Sequence, residues 1–404
     1  MKRLTGLLRR GLVPLLSVIT ALLFGAVVIV LTDFENLSQL GTDPLGAITA
    51  AIGGVGRGYG AMLSGAFGDP VRIAEAFRTG NTKDIATAVR PLAETLVATT
   101  PLIFAGLAVA LAFRAGMFNI GVDGQLLMGA LGGTMTAAAL ETSGLPSIVI
   151  LVPAIVVGTL FGAAWGFIPG FLKARTGAHE VITTIMLNYV AFQIVFFCLI
   201  NTFIAQPGSG QPISKVITWV DVPPIVDLPA IRLDWGFIVA LAMTGVVSLL
   251  LFRTTKGFEL RASGFNLTAA RYAGMSASGS TMLAMAISGG LAGMGGAFLV
   301  IGTIGQLTLD VAGGIGFNAI ALALLAGLRP SGVVLASLLF GALTNGGHLM
   351  GIESGVPYDL LFLIMSLVIM FVAAPGLIRA IWRVKVGKPP PEVATASQGS
   401  AGTL

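Results

Sequence analysis

Charge is scarce in this 404-residue chain: 10% of its residues are Asp, Glu, Lys or Arg, 55% are hydrophobic, and the mean hydropathy is +0.93. Soluble domains carry about 25% charged residues, so an ordinary globular class is excluded. Cysteine is nearly absent. The single Cys198, in FQIVFFCLI, excludes an internal disulfide and reads as a small buried hydrophobe. There are two histidines, His179 and His348, in separate segments. His179 and Glu180 begin like the HExxH of zinc proteases, but the residue four after His179 is Thr183, so the second imidazole is missing. No Cys or carboxylate cluster completes a metal site. The chain also lacks a GxxxxGK[ST] phosphate loop, a GxSxG elbow and paired carboxylates on one helix face, which removes ATP hydrolysis by that route and leaves no catalytic constellation. We read it as a non-enzyme that binds no cofactor of its own.

What is present is apolar runs of about 20 residues, the length of helix that crosses a hydrocarbon core. The fold class is therefore an all-α polytopic membrane protein; a transmembrane β-barrel would alternate apolar and polar residues instead. Ten spans are expected, at 11–32, 92–113, 124–140, 147–172, 181–204, 235–252, 279–303, 313–328, 331–350 and 358–378. The basic start MKRLTGLLRR looks like that of a signal peptide, but the run after it is too long and lacks a cleavage site, so it is read as the first span. The 55 glycines suit helices that pack closely where lipid gives no hydrophobic drive. Ten spans put both termini on one side. With that side cytoplasmic, 16 of the 23 basic residues are inside, the bias of membrane topology, so the expected location is the bacterial cytoplasmic membrane. The pI of 9.6 arises from these loops and implies no nucleic acid.

Three parts follow: residues 1–91, a first span and an external segment; 92–380, a core transmembrane domain; and 381–404, a cytoplasmic low-complexity tail expected to be disordered. Within the first, AITAAIGGVGRGYGAMLSGAFG carries Arg57 and many glycines, which disfavour a stable helix, so it is expected to dip into the interface without crossing; whether residues 44–68 span, dip or lie flat stays open. VRIAEAFRTGNTKDIATAVR reads as an amphipathic helix lying on the membrane. The proline-rich stretch from Ala205 to Asp234, with Asp221 and Asp227, reads as an irregular external cap.

Two short apolar stretches are interrupted by polar residues and glycines. FRAGMFNIGVDGQLLMGALGG, Phe113 to Gly133, holds Arg114, Phe118, Asn119, Asp123 and Gln125, while GGIGFNAIALALLAG, Gly313 to Gly327, holds Asn318. Polar groups at such depth face a cavity, and half-helix ends offer free N–H and C=O groups to a ligand. The bland alternative is an Arg114–Asp123 pair with glycines for tight packing. Asn188 and Gln193, on the segment opened by Glu180, line a pathway or cross-link helices, and Asn318 has the same two readings.

The longest polar and basic island, RTTKGFELRASGFNLTAARYAGM, runs from Arg253 to Met275. Asn266 is a good N-cap, LTAARYA about two helical turns, and Gly274 suits a left-handed end. Its alanines, Ala269, Ala270 and Ala273, leave room for another protein's groove to close on the backbone; the plain alternative is a solvated loop.

Three segments carry a family resemblance: LAETLVATTPLIFAGLAVALAFRAGMFNIGVDGQLLMGALGG, TGAHEVITTIMLNYVA, and GFELRASGFNLTAARYAGMS with the following ISGGLAGMGGAFLV. From about Leu92 to Arg379 the chain resembles permease subunits of ABC importers grouped with ribose and branched-chain amino-acid permeases, and within them the nucleoside branch. The resemblance implies a type II importer fold with broken central helices, a coupling helix at Gly264 to Gly274 (with Arg261, Asn266, Ala269, Ala270 and Arg271), and separate ATPase partners that use ATP and Mg. It further implies a second permease subunit, as heterodimer before homodimer, a substrate-binding lipoprotein and a nucleoside substrate, with guanosine one candidate, moving past Phe118, Asn119, Asp123, Gln125, Asn188 and Asn318. Asp123 stands where Glu is commoner in that branch, a shorter reach for the same charge. A ribose-like sugar or a branched-chain amino acid is the alternative cargo, and an ion-gradient-driven transporter the alternative class; ion coupling usually needs several intramembrane carboxylates, and here only Asp123 qualifies.

Overall fold

A computed structural model of the chain describes residues 2–226, 228, 231–354 and 359–383. The tail from 384 onward and Asp227 lie outside the described residues. The described chain is helical, with only isolated β-bridges. In order, the helices are α1 (Lys2–Thr32), α2 (Phe34–Ser38), α3 (Pro44–Phe67), α4 (Pro70–Thr79), α5 (Thr82–Arg114) and α6 (Val122–Ala139). They continue with α7 (Ser147–Thr176), α8 (Glu180–Asn201), α9 (Trp235–Arg253), α10 (Thr255–Phe265), α11 (Leu267–Tyr272) and α12 (Ala277–Phe298). After a π-helical turn at Leu299–Ile304 come α13 (Ile315–Leu325), α14 (Pro330–Ser354), α15 (Asp359–Ala373) and α16 (Pro375–Ile381).

Among the described residues seven helices are long and apolar enough to cross a membrane, and eight if α15 and α16, bent by 91°, form one span. The ten-span expectation exceeds this by two, at 124–140 and 313–328. At 1.5 Å per residue the 11-residue α13 reaches about 16 Å, half of a hydrocarbon core, and α6 is only 18 residues long. α13 is thus a half-length piece, and α6, at about 27 Å, just falls short of a full span. The region 44–68 also departs from expectation: it is one continuous helix, α3. One of its glycines, Gly65, is where α14 approaches, since a Cβ there would sit 2.7 Å from Leu349 Cβ and 3.1 Å from Gly346 Cα. The segment after it is split at Gly80; its first half is α4, and its second half is the start of the long α5.

Close backbone approach organises the centre. Gly158, Gly162 and Gly166 form one row on α7, facing Gly289, Gly293 and Ala297 on α12, and Gly129 of α6 meets Gly293 from another side. This is the small-residue packing by which helices associate in lipid. The middle of α5, Ile103 to Ala112, is fully enclosed by these helices and by α13 and α14. Asn345 of α14 donates to the Gly65 and Pro91 carbonyls (2.8 Å each), so one amide pins α3 to the core.

The bundle has two distinguishable ends. At one, Ser147 at the start of α7 hydrogen-bonds Asp221, and Arg232 makes a bidentate contact with Glu94 of α5 (3.0 and 2.6 Å); this end carries the irregular 202–234 segment. At the other end are α10 and α11, the last turn of α5, and the end of α7, where Gly170 packs on Met282 of α12.

Candidate functional site

The two short helices α6 and α13 meet at their N-terminal ends. Asp123, in the first turn of α6, accepts through Oδ1 a hydrogen bond of 2.6 Å from the Gly316 N–H in the first turn of α13. A carboxylate there faces the positive ends of two helix dipoles. A Cβ on Gly316 would overlap Asp123, and Gly314, at φ +74°, turns the chain into α13 from a left-handed conformation. Asp123 does not pair with Arg114: Arg114 Nε donates instead to the Leu328 carbonyl, and neither residue is in an ion pair among the described residues. Asp123 also lines a cavity of about 360 Å³ beside this junction.

That cavity is lined by Asp123, Asn188, Tyr189, Phe192, Asp310 and Phe317, with small and aliphatic residues between them. It is concave and mostly apolar with a few convergent polar groups, the form of small-molecule sites. Tyr189 is 67% exposed and Phe317 57% exposed in the isolated chain. Asn188 is both brace and lining: its Oδ1 accepts from Gly124 N–H (2.9 Å) and its Nδ2 donates to the Ile120 carbonyl (3.0 Å). Tyr189, Phe192, Phe317 and Asp310 escaped the sequence reading. The spacing of Asn188 and Phe192, one helical turn apart, was the available signal.

The other expected pathway residues lie elsewhere. Asn119 and Gln125 are buried and exchange two amide hydrogen bonds (2.8 and 3.0 Å), and Asn119 also donates to Ser288 Oγ (2.8 Å), which in turn donates to Ala108 O. This satisfied network fixes the α5–α6 turn against α12; it does not line the cavity. Phe118 is exposed and packs on Phe113, with ring centroids 4.9 Å apart. Asn318 is half-buried on α13 and outside the cavity lining.

At the opposite end from residues 202–234, the basic island folds as its residues suggest. Asn266 Oδ1 accepts from Ala269 N–H (3.0 Å), α11 follows, and Gly274 ends it at φ +77°. Ala269, Arg271 and Ala273 are exposed, as are Phe265 (85%) and Tyr272 (90%). Ala270 differs, being 3% exposed and turned inward. Gly264 rests directly on the α5–α6 turn: a Cβ there would strike the Arg114 carbonyl and lie 2.7 Å from Gly116 N. Arg261 sits on α10, half-buried against Phe252. Lys173 and Glu180 close the α7–α8 turn with an ion pair of 2.5 Å, and Thr183 takes the place where a second imidazole would stand.

The profile of the family "branched-chain amino acid transport system / permease component" matches residues 92–374, which contain α6, α13, the cavity and α11. The chain belongs to this permease family. Its relatives include the guanosine ABC transporter permease protein NupP of Bacillus subtilis, 37% identical over 94% of this chain and 97% of that one. The nucleoside ABC transporter permease protein NupB of Lactococcus lactis is 34% identical over 72% of this chain and 81% of its own. The glucose ABC transporter permease protein TsgB13 of Haloferax volcanii is 35% identical over 69% and 75%. No solved structure matches the chain. The permease is thus a multi-pass membrane protein of the ABC transporter class.

Proposed function

We propose that this permease forms half of the translocation pathway of an ATP-driven nucleoside importer in the bacterial cytoplasmic membrane. The observation that carries the cargo is the likeness along nearly the whole chain to a permease named for guanosine. The cavity at Asp123 suits such a cargo: Tyr189, Phe192 and Phe317 offer rings for a planar base, and Asp123 and Asp310 offer acceptors for ribose hydroxyls. A sugar, which the haloarchaeal relative's name raises, has no base for those rings.

The N-terminus and the α10–α11 end are cytoplasmic in this reading, and α11 seats in a cleft of a separate ATPase, which alone uses ATP and Mg. The 202–234 end faces outward, where a lipoprotein delivers the substrate. A second permease subunit covers the open side of the cavity, a different chain in preference to a second copy.

The test is uptake of radiolabelled guanosine in cells lacking their own nucleoside importers, with unlabelled guanosine, ribose, glucose and leucine as competitors. Guanosine alone should compete. Tyr189→Ala and Asp123→Asn should each cut uptake about tenfold or more, the worth of one lost stacking or charged hydrogen-bond contact. Competition by glucose with none by guanosine would sink the nucleoside reading.

A further inference from the structure

Four arginines lie near the turn from α9 into α10, and the carboxylate beside them, Glu259, is paired with Lys256. The guanidinium carbons of Arg114 and Arg261 lie 5.1 and 5.2 Å from the centroid of the Phe252 ring. Arg329, just past α13, is near enough to repel Arg114 electrostatically. Arg253 follows Phe252 in the chain. None of the four is in an ion pair among the described residues, and the buried Nε of Arg261 has no hydrogen-bond partner. Buried donors are nearly always satisfied, so an orphan beside like charges marks a missing acceptor. Phe252, Arg253 and Arg261, with the Lys256–Glu259 pair, also wall an open cavity of about 800 Å³ that reaches the end of α11 at Gly274.

The surface leading away from this cavity is apolar. Val246, Leu249 and Phe252 follow one another at every third residue of α9 and are 50%, 59% and 42% exposed, forming a row that runs up the span and ends at the arginines. An acyl chain fits such a row, and a phosphate fits its cationic end. Basic pockets between helices at the cytoplasmic surface hold anionic headgroups in this way, and guanidinium is the side chain suited to phosphate.

We infer that the pocket walled by Phe252, Arg253 and Arg261, with Arg114 and Arg329 close behind the Phe252 ring, binds the phosphate headgroup of an anionic phospholipid, with the acyl chain along α9. The inference needs the α10–α11 end to lie at a membrane surface, and it stands whatever cargo the permease carries. Because Arg261 belongs to the same helix as Gly264, a bound lipid would brace α10 against the end of α5.

Lipid retention by the purified full chain tests this. The chain is placed in nanodiscs of mixed phosphatidylglycerol and phosphatidylcholine, re-extracted, and its bound lipids are counted by native mass spectrometry. Phosphatidylglycerol should be retained preferentially, and Arg261→Gln combined with Arg329→Gln should lower the preference by about fivefold per charge. Arg261→Lys keeps the charge and should hold most of the preference, and Lys83→Gln at the other end should leave it unchanged; these two variants separate lost binding from lost folding. Equal retention of both lipids by the natural chain overturns the inference, and so does an undiminished preference in the double variant. Displacement of phosphatidylglycerol by millimolar inorganic phosphate alone would reassign the pocket to a free anion and overturn the lipid. Guanosine uptake is not part of the readout, so failure here and failure of the cargo reading are distinct.

Discussion

Asp234 closes the first turn of α9 by accepting the Gly236 N–H at 2.7 Å, yet it is almost wholly buried beside Gly302. Burial pushes its carboxyl up from 3.8 to about 6, against the smaller opposing pull of that hydrogen bond. An acid held above its unfolded value is penalised in its charged form. The penalty is absent below pH 3.8, grows as pH rises toward 6, and is complete above that. Asp234→Asn keeps the cap acceptor and removes the charge, so it should stabilise the protein by about 1–2 kcal/mol above about pH 7 and by nothing below about pH 4. Heat challenge at the two pH values, followed by size-exclusion of the surviving protein, reads the difference. Equal survival at both would show that Asp234 is neutralised by a partner instead. Asp123 is a different kind of residue. Its depth in a polar-poor segment made it legible as a site, but its partner was not, because Gly316 lies 193 positions further along the chain and offers only a backbone N–H.

α10 and α11 together separate what local chemistry can specify from what packing decides. The Asn266 cap, the two turns and the Gly274 end are all short-range rules, and each was readable. The inward face of Ala270 was not readable, since alanine favours neither side of a helix. The same limit explains α3: its glycines weaken an isolated helix, but packing against α14, closest at Gly65 and Gly346, holds it in one piece. Run length misled in the opposite direction at α6 and α13, whose apolar residues are buried against other helices: α13 is too short to cross a hydrocarbon core, and α6, at about 27 Å, is packed inside the bundle. Under the proposed function, α11 binds the ATPase and Gly264 passes its movement to the α5–α6 turn. Two substitutions should therefore fail differently. Ala269→Trp, on the exposed face, should prevent co-purification of the ATPase. Gly264→Ala should leave the ATPase bound and hydrolysing while uptake falls, because the added methyl forces α10 off the Arg114–Gly116 backbone at a cost of about 1–3 kcal/mol. Loss of co-purification in both, or in neither, would count against this division.

Across the whole molecule the basic residues follow the two ends that the helices define. Arg114, Arg261 and Arg329 gather around the α9–α10 turn, and Lys173 and Arg175 lie in the last turn of α7, whose neighbour Gly170 contacts the start of α12. Of the fewer basic residues at the other end, Arg232 and Arg90 reach Glu94 and Lys215 reaches Glu141. Transfer of a basic loop across a bilayer is disfavoured, so this asymmetry supports the proposed orientation with α11 inside. The count of spans cannot replace that argument, because α6 and α13 are short and parity depends on how each is scored. The lone cysteine makes a direct test practical. With Cys198 replaced by Ala, single cysteines at Gln211, in the exposed part of the 202–234 segment, and at Thr268 on α11 occupy opposite ends. A membrane-impermeant maleimide added to intact cells should label the Gln211→Cys protein and leave Thr268→Cys unlabelled until the membrane is permeabilised. The reverse pattern would place α11 outside, where no ATP-consuming partner could reach it, and would remove the importer reading together with the inner-surface location of the arginine pocket.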